Sequence, residues 1–264
     1  MNNITITYTD GKEMLAPQGI TLAEVLSMLP PIDPAPFAAV VNGELQELSY
    51  ALYTNSTIDW LDYQSDVGHR IYRRSVIFLL SIAATNVFPS KKLWVSHSLE
   101  NGLYCHFKNV EITPAQICEL KEEMDRIVAA NLPIANHRVT RDDAVAFFTQ
   151  NDESKAKLMA RRTSQYINFY TCGEQTNYLF GRMALTTGLL TKYELIPFDR
   201  GFVLRLPARK YVSFPDIDFI EPKRIQATLN EYQEWHELLE IESVTDLNTV
   251  WSSDNYGKGN IVVD

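Results

Sequence analysis

Val41-Asn42-Gly43-Glu44-Leu45 joins two strand-like runs, Phe37 to Val41 and Glu44 to Leu48. Asn-Gly is a hairpin signal because both residues accept the positive φ that a tight turn of the favoured hand requires. Downstream, Thr57-Ile58-Asp59-Trp60-Leu61 reads as a further strand. Upstream, Thr21-x-x-Glu24 is a capping box, and Leu22, Val25, Leu26 and Leu29 recur at helical spacing until Pro30-Pro31 stops the helix. At the start, Ile4, Ile6 and Tyr8 alternate with Thr5 and Thr7, as in a half-buried strand. Asp10-Gly11 turns the chain into a second strand near Lys12 to Leu15.

Hairpin, helix, hairpin, strand is the order of a ubiquitin-like β-grasp, expected here over residues 1–62. The polar stretch Gln64 to Gly68 reads as a linker. A helix is expected from about Arg70 to Asn86, with Ile71, Ser75, Phe78, Leu79 and Ile82 on one face. Trp94 to His97 and Leu103 to Phe107 look like strands around an Asn101-Gly102 turn. Thr113-Pro114-x-Gln116 supplies a cap, a proline at the first helical position and a capping-box partner. Ile117, Leu120, Met124, Ile127 and Val128 form that helix's apolar stripe. Thr140-x-x-Asp143 opens a shorter helix, Asp152 to Arg162 is a charged helix, and Gln165 to Thr171 and Phe202 to Leu206 are strand-like. The fold class is therefore α+β, with a second domain over 63–220. Residues 221–264 are expected to form a helix opened by Pro222 and a polar linker, whose final Ile261-Val262-Val263-Asp264 looks like the start of something cut off.

The 264 residues are long for one domain and comfortable for two. Three cysteines are too few for a disulfide framework, no run is apolar enough to span a membrane, and the start is no signal peptide, so a cytoplasmic setting is expected. A net charge of -9 argues against nucleic-acid binding driven by clustered Lys and Arg. Local basic clusters are Arg73-Arg74, Arg161-Arg162, and Arg205 with Arg209-Lys210.

Ile71 to Leu80, the Asn101-Gly102-Leu103-Tyr104 run and Tyr170-Thr171-Cys172 together resemble the amino-terminal half of threonyl-tRNA synthetase. Val41 to Leu45 likewise resembles the TGS domain shared by synthetases, GTPases and stringent-response enzymes. The synthetase resemblance implies an H-S-x-x-H helix and a later C-x-x-x-H holding one metal. Here those positions read Arg74, Phe78, Cys172 and Thr176. Arg74 carries no acceptor and Phe78 no donor atom, so one ligand of four survives and no metal is expected. The family's editing lysine would fall within Glu153 to Lys157, with a lysine on either side of the matching place, and the family's acidic residue is Tyr170.

A second resemblance covers essentially the whole chain. Cys172-Gly173, Phe180-Gly181, Thr187-Gly188 and Gly201-Phe202-x-Leu204-Arg205-x-Pro207 are similar to the front part of bacterial uridine kinase-like proteins. In those, TGS and synthetase-like domains precede a P-loop kinase. The resemblance implies a non-catalytic regulatory or ligand-binding region whose partner is a downstream kinase domain. ATP and Mg²⁺ would belong to that absent domain, because this chain contains no G-x-x-x-x-G-K-[ST]. The alternative is a synthetase-derived tRNA- or RNA-binding module with a metal-free editing site. No catalytic residue is expected in this chain. The candidate ligand-binding residues are Arg74, His97, Cys172, Glu174, Tyr178 and Arg182. An arginine fork beside aromatic rings suits a nucleoside or nucleotide. The plainer reading is that Arg74 pairs internally with a carboxylate such as Glu174, filling the space the metal left.

Overall fold

A computed structural model of the chain describes residues 2–99, 102–108, 110–209 and 214. The expected helix from Pro222, the linker after it and turn residue Asn101 lie outside the described residues. The chain divides into two compact units. The first comprises Met1–Asn136 and Tyr170–Asp218, and the described part of the second is His137–Phe169.

The amino-terminal part of the first unit contains β1 (Asn3–Tyr8), β2 (Glu13–Pro17), β3 (Ile20–Thr21), α1 (Leu22–Ser27), β4 (Ala38–Val41), β5 (Glu44–Glu47), β6 (Ala51–Leu52) and β7 (Ser56–Leu61). Five strands form one sheet in the order β2-β1-β7-β4-β5, with β3 and β6 paired separately. β1 runs parallel to β7, with Ile6 opposite Ser56, and the other neighbours are antiparallel. This is the expected β-grasp. Its core is Ile4, Ile6, Leu22, Val25, Val41 and Ile58, the apolar positions of the period-2 and period-3.6 patterns. Asn42 and Gly43 both take positive φ (51° and 87°), and the Asn42 side chain accepts a 2.8 Å hydrogen bond from Thr57 N, tying the turn to β7. The capping box closes as read: Glu24 N donates to Thr21 Oγ1 (3.2 Å), and Thr21 N donates back to Glu24 Oε2 (2.8 Å).

The chain continues through α2 (Asp66–Val87), β8 (Leu93–Leu99), β9 (Gly102–Phe107) and α3 (Pro114–Ala129). Next come β10 (Ala135–Thr140), α4 (Arg141–Asn151), α5 (Glu153–Ala160), β11 (Tyr166–Cys172) and β12 (Gln175–Asn177). A 3₁₀ turn at Thr187–Leu189, β13 (Glu194–Phe198) and β14 (Gly201–Arg205) complete the described elements. Four of these strands form an antiparallel sheet in the order β13-β14-β9-β8. Leu103, Cys105 and Phe107 of β9 and Phe202 and Leu204 of β14 share one core with Phe78 and Leu79 of α2 and with Ile117, Leu120 and Met124 of α3. Fully burying a side chain of this size contributes about 2–3 kcal/mol, so this is the main store of stability.

α2 begins earlier than expected. Gln64 to Gly68 is not a linker: Ser65 caps the helix by accepting from Gly68 N (3.0 Å), and Asp66 opens it. Glycine is required at 68 because a Cβ there would stand 1.7 Å from Asp62 O. A residue that elsewhere breaks helices is thus placed by a close backbone approach. In the second unit, Thr140 caps α4 and Asp152 caps α5. Phe147, Phe148 and Phe169 pack together with ring centroids 5.2–5.5 Å apart. Among the described residues, no helix is long and apolar enough to cross a membrane.

Candidate functional site

α2 is the axis of the site. Eleven of its residues are buried, on more than one face, so it is an internal helix rather than a surface one. Ser75 is fully buried; its hydroxyl donates to Ile71 O (2.8 Å) and accepts from Ala184 N (2.8 Å). That pair pins the segment around residues 181–184 against α2, beside Arg74.

The four positions expected from the metal motif do not make a metal site. Phe78 is 1% exposed and belongs to the core. Cys172 is 2% exposed in the same core, and burial pushes its thiol pKa up, which disfavours the thiolate a metal would need. Thr176 sits on β12 opposite Thr171. The Arg74 side chain donates from Nη1 to the carbonyl of Arg182 at 2.5 Å. Its guanidinium lies across Gly181, whose φ is +104° and where a Cβ would come 2.7 Å from Arg74 Cζ. A permanent cation thus stands where a ligand would be needed, and these residues do not fit zinc. Among the described residues, no group of three or more His, Cys, Asp or Glu side chains could hold a metal.

Arg74 finds no carboxylate in Glu174, which is exposed; the internal pairing expected there is corrected. The neighbouring carboxylate is Glu47, the last residue of β5 and 8% exposed. Glu47 accepts from the Tyr170 hydroxyl, from Asn136 Nδ2 (3.1 Å) and from Met183 N (3.2 Å). The Tyr170 hydroxyl also lies 2.8 Å from Gly181 O. Burial, then its bond to Glu47, pushes the Tyr170 phenol well above its ordinary range. Burial lowers the Arg74 pKa, while Tyr170 and Glu47 oppose that shift. One anion and one cation therefore share a network with a neutral phenol between them. It consists of Glu47, Tyr170, the 181–183 backbone and Arg74.

Sequence reading missed Glu47, Asn136 and Gly181. Glu47 had one available signal. Alternation from Leu45 assigns position 47 to the same side of β5, so an acid there faces inward. Asn136 had none, because its role depends on where β10 begins.

The remaining candidates scatter. Arg182 contributes its carbonyl to Arg74, and its side chain is half-buried. Tyr178 is half-buried just beyond β12. His97 stands on β8, where the register with β9 shifts between Val95 and Ser98. Its ring lies 5.2 Å from that of Tyr104, which in turn stacks on His106 at 5.5 Å. Burial, and then neighbouring His106, lowers the His97 pKa, and among the described residues its buried Nε2 has no hydrogen-bond partner. The lysines near the family's editing position make local pairs in the second unit. Lys155 lies 3.9 Å from Asp152, and Lys157 lies 2.9 Å from Glu153.

No family model matches the chain. It is similar to the threonine–tRNA ligase of Symbiobacterium thermophilum, 30% identical over 197 residues, which is 73% of this chain and 30% of the ligase. The ligase of Syntrophomonas wolfei is 28% identical over 191 residues, 71% of this chain and 30% of the ligase. That of Carboxydothermus hydrogenoformans is 26% identical over 197 residues, 73% and 31%. The chain thus spans about 30% of the length of these relatives. The homologues are threonyl-tRNA synthetase amino-terminal regions, and the α+β architecture of this chain is consistent with such a region.

Proposed function

We propose that this chain is a synthetase-derived tRNA-binding module with a degenerate, metal-free editing-type site. The observation that carries it is a conjunction. The relatives that match nearly three quarters of the chain are ligases that act on tRNA. Meanwhile the two helix positions where the synthetase resemblance implies metal ligands are filled by Arg74, hydrogen-bonded to Arg182 O, and by buried Phe78. Substituting a fixed cation for a ligand removes the means of activating a metal-bound water and leaves a positive charge, which favours rather than opposes a polyanion.

Hydrolysis of a mischarged tRNA by metal-assisted attack is not part of this function, since Arg74 and Phe78 supply no ligand. What the chain's residues do is bind and orient. Arg74 is fixed by Arg182 O, Tyr170 and Glu47 fix the loop that carries Arg182, and Ser75 holds Ala184 N.

The test is a titration of fluorescent tRNA-Thr with the full chain at several salt concentrations, beside a deacylation assay with serine-charged tRNA. Saturable binding that weakens with salt, with no deacylation above the uncatalysed rate, is expected. Absence of binding at about 50 mM salt, where phosphate contacts are weakly screened, sinks the proposal. Serving as the regulatory front part of a uridine kinase-like protein, with ATP and Mg²⁺ handled outside this chain, ranks second, because the similar proteins are ligases.

A further inference from the structure

Arg73 and Arg209, which lie far apart in the sequence, meet at one cavity of about 260 Å³. Arg73 and His69 enter it from successive turns of α2, Ser98 from the end of β8, and Arg209 from the chain beyond β14. Buried Leu103 of β9 and Leu206 form an apolar part of the lining. Arg73 faces this cavity while Arg74, the next residue on the helix, is turned to Arg182 O.

Arg73 has an incomplete set of partners. Its Nη2 donates to the neutral hydroxyl of Ser98 at 3.0 Å, and among the described residues no carboxylate pairs with it. With a neutral hydroxyl as its partner among the described residues, the guanidinium keeps further N–H donors for an anion. Arg209 does pair with Asp66, but the two side chains are 49% and 74% exposed, so solvent screens that pair and Arg209 can turn to a competing anion. Burial, and then neighbouring Arg73, lowers the pKa of His69. Cations beside an apolar wall match a phosphate attached to a sugar better than a fully hydrated inorganic ion.

We infer that this cavity binds the phosphate group of a nucleotide, with Arg73 as the primary donor and Arg209 as the second cation. The source of that phosphate, an RNA backbone, rests on the tRNA-binding proposal; a free nucleoside monophosphate offers the same chemistry.

The experiment uses the full chain and the variants Arg73→Gln and Arg209→Gln, each with its melting curve measured as a fold check. Gln at 73 keeps a donor for Ser98 and removes the charge. Binding of tRNA is followed across a salt series, and UMP is titrated separately by calorimetry. For tRNA, Arg73→Gln is expected to weaken binding at least about fivefold and to flatten the log–log salt slope by about one, the loss of one phosphate contact. Arg209→Gln has a smaller effect in the same direction. UMP binding that Arg73→Gln abolishes, with no tRNA binding by the wild type, supports the cavity while overturning the tRNA proposal. Wild-type tRNA binding unchanged in affinity and slope by folded Arg73→Gln overturns the cavity inference and leaves the tRNA proposal standing. Failure of the wild type to bind either probe overturns both.

Discussion

Tyr170 donates its phenolic hydrogen bond to Glu47, 123 residues earlier in the chain. The bond joins β11 to the last residue of β5 in the β-grasp sheet. Glu47 Oε1 also takes the backbone N–H of Met183 and Oε2 the amide of Asn136, so three distant points converge on one buried carboxylate.

Removing that carboxylate leaves the Tyr170 hydroxyl and Met183 N without their acceptor in a buried site. Glu47→Ala is therefore expected to destabilise the chain by about 3 kcal/mol, and Tyr170→Phe by about 1–2 kcal/mol. Urea unfolding of both singles and the double variant gives the coupling. The double should fall short of the sum by at least about 0.5 kcal/mol. Strict additivity would show that the two residues act independently.

Gly181 carries two constraints at once, a φ of +104° and the Arg74 guanidinium lying against it. Gly181→Ala should cost about 1–3 kcal/mol. Part of that cost is contact with Arg74 and part is backbone strain. Adding Arg74→Ala should recover the first part only, measured as the shift in urea midpoint between the single and double variants.

The three thiols should react in order of exposure. Cys118 is exposed on α3, while Cys105 and Cys172 are buried. Burial pushes the Cys105 pKa up to about 12 and raises that of Cys172, so neither offers appreciable thiolate near pH 8. Timed iodoacetamide labelling read by peptide mass spectrometry should find Cys118 modified at least about tenfold faster, a gap that closes in denaturant.

Stability should fall as the medium is acidified from about pH 7.5 to about 5.5, the range that brackets the ordinary histidine pKa. His69, His97 and His106 all have folded-state pKa values lowered by burial, with Arg73 adding to the effect at His69 and the neighbouring His106 ring at His97. Below the ordinary histidine pKa of about 6.5 the unfolded chain binds protons that the folded chain refuses, so protonation favours unfolding. The urea midpoint measured at both pH values checks the sign. His97→Phe keeps a ring against Tyr104 and should reduce the slope.

How much the residues disclosed unaided depends on how local each feature is. The Asn42-Gly43 turn and the boxes at Thr21 and Thr113 are short-range arrangements, and each formed as read. β13 escaped notice because Pro197 sits inside it, which is tolerated since β13 is an edge strand of its sheet. The start of α2 was misplaced because Gly68 looks like a breaker until the Asp62 carbonyl is set beside it. In the site, the loss of metal ligands was legible from Arg74 and Phe78 alone. The replacement was not. Its carboxylate comes from Glu47 on β5, an association no spacing encodes, and the nearby acid suggested by proximity in sequence, Glu174, is exposed to solvent.

The placement of Glu47 also makes the chain unequally modular. Severed from the rest of the chain, the β-grasp would return Glu47 to water, where a carboxylate is at ease. The remainder would keep a deeply set phenol and a half-buried arginine with their shared anion gone. Any natural or engineered exchange of the leading domain must therefore carry an acid at this one strand end. In a recombination library, crossovers between Leu61 and Gly68 should survive only with donors that supply it.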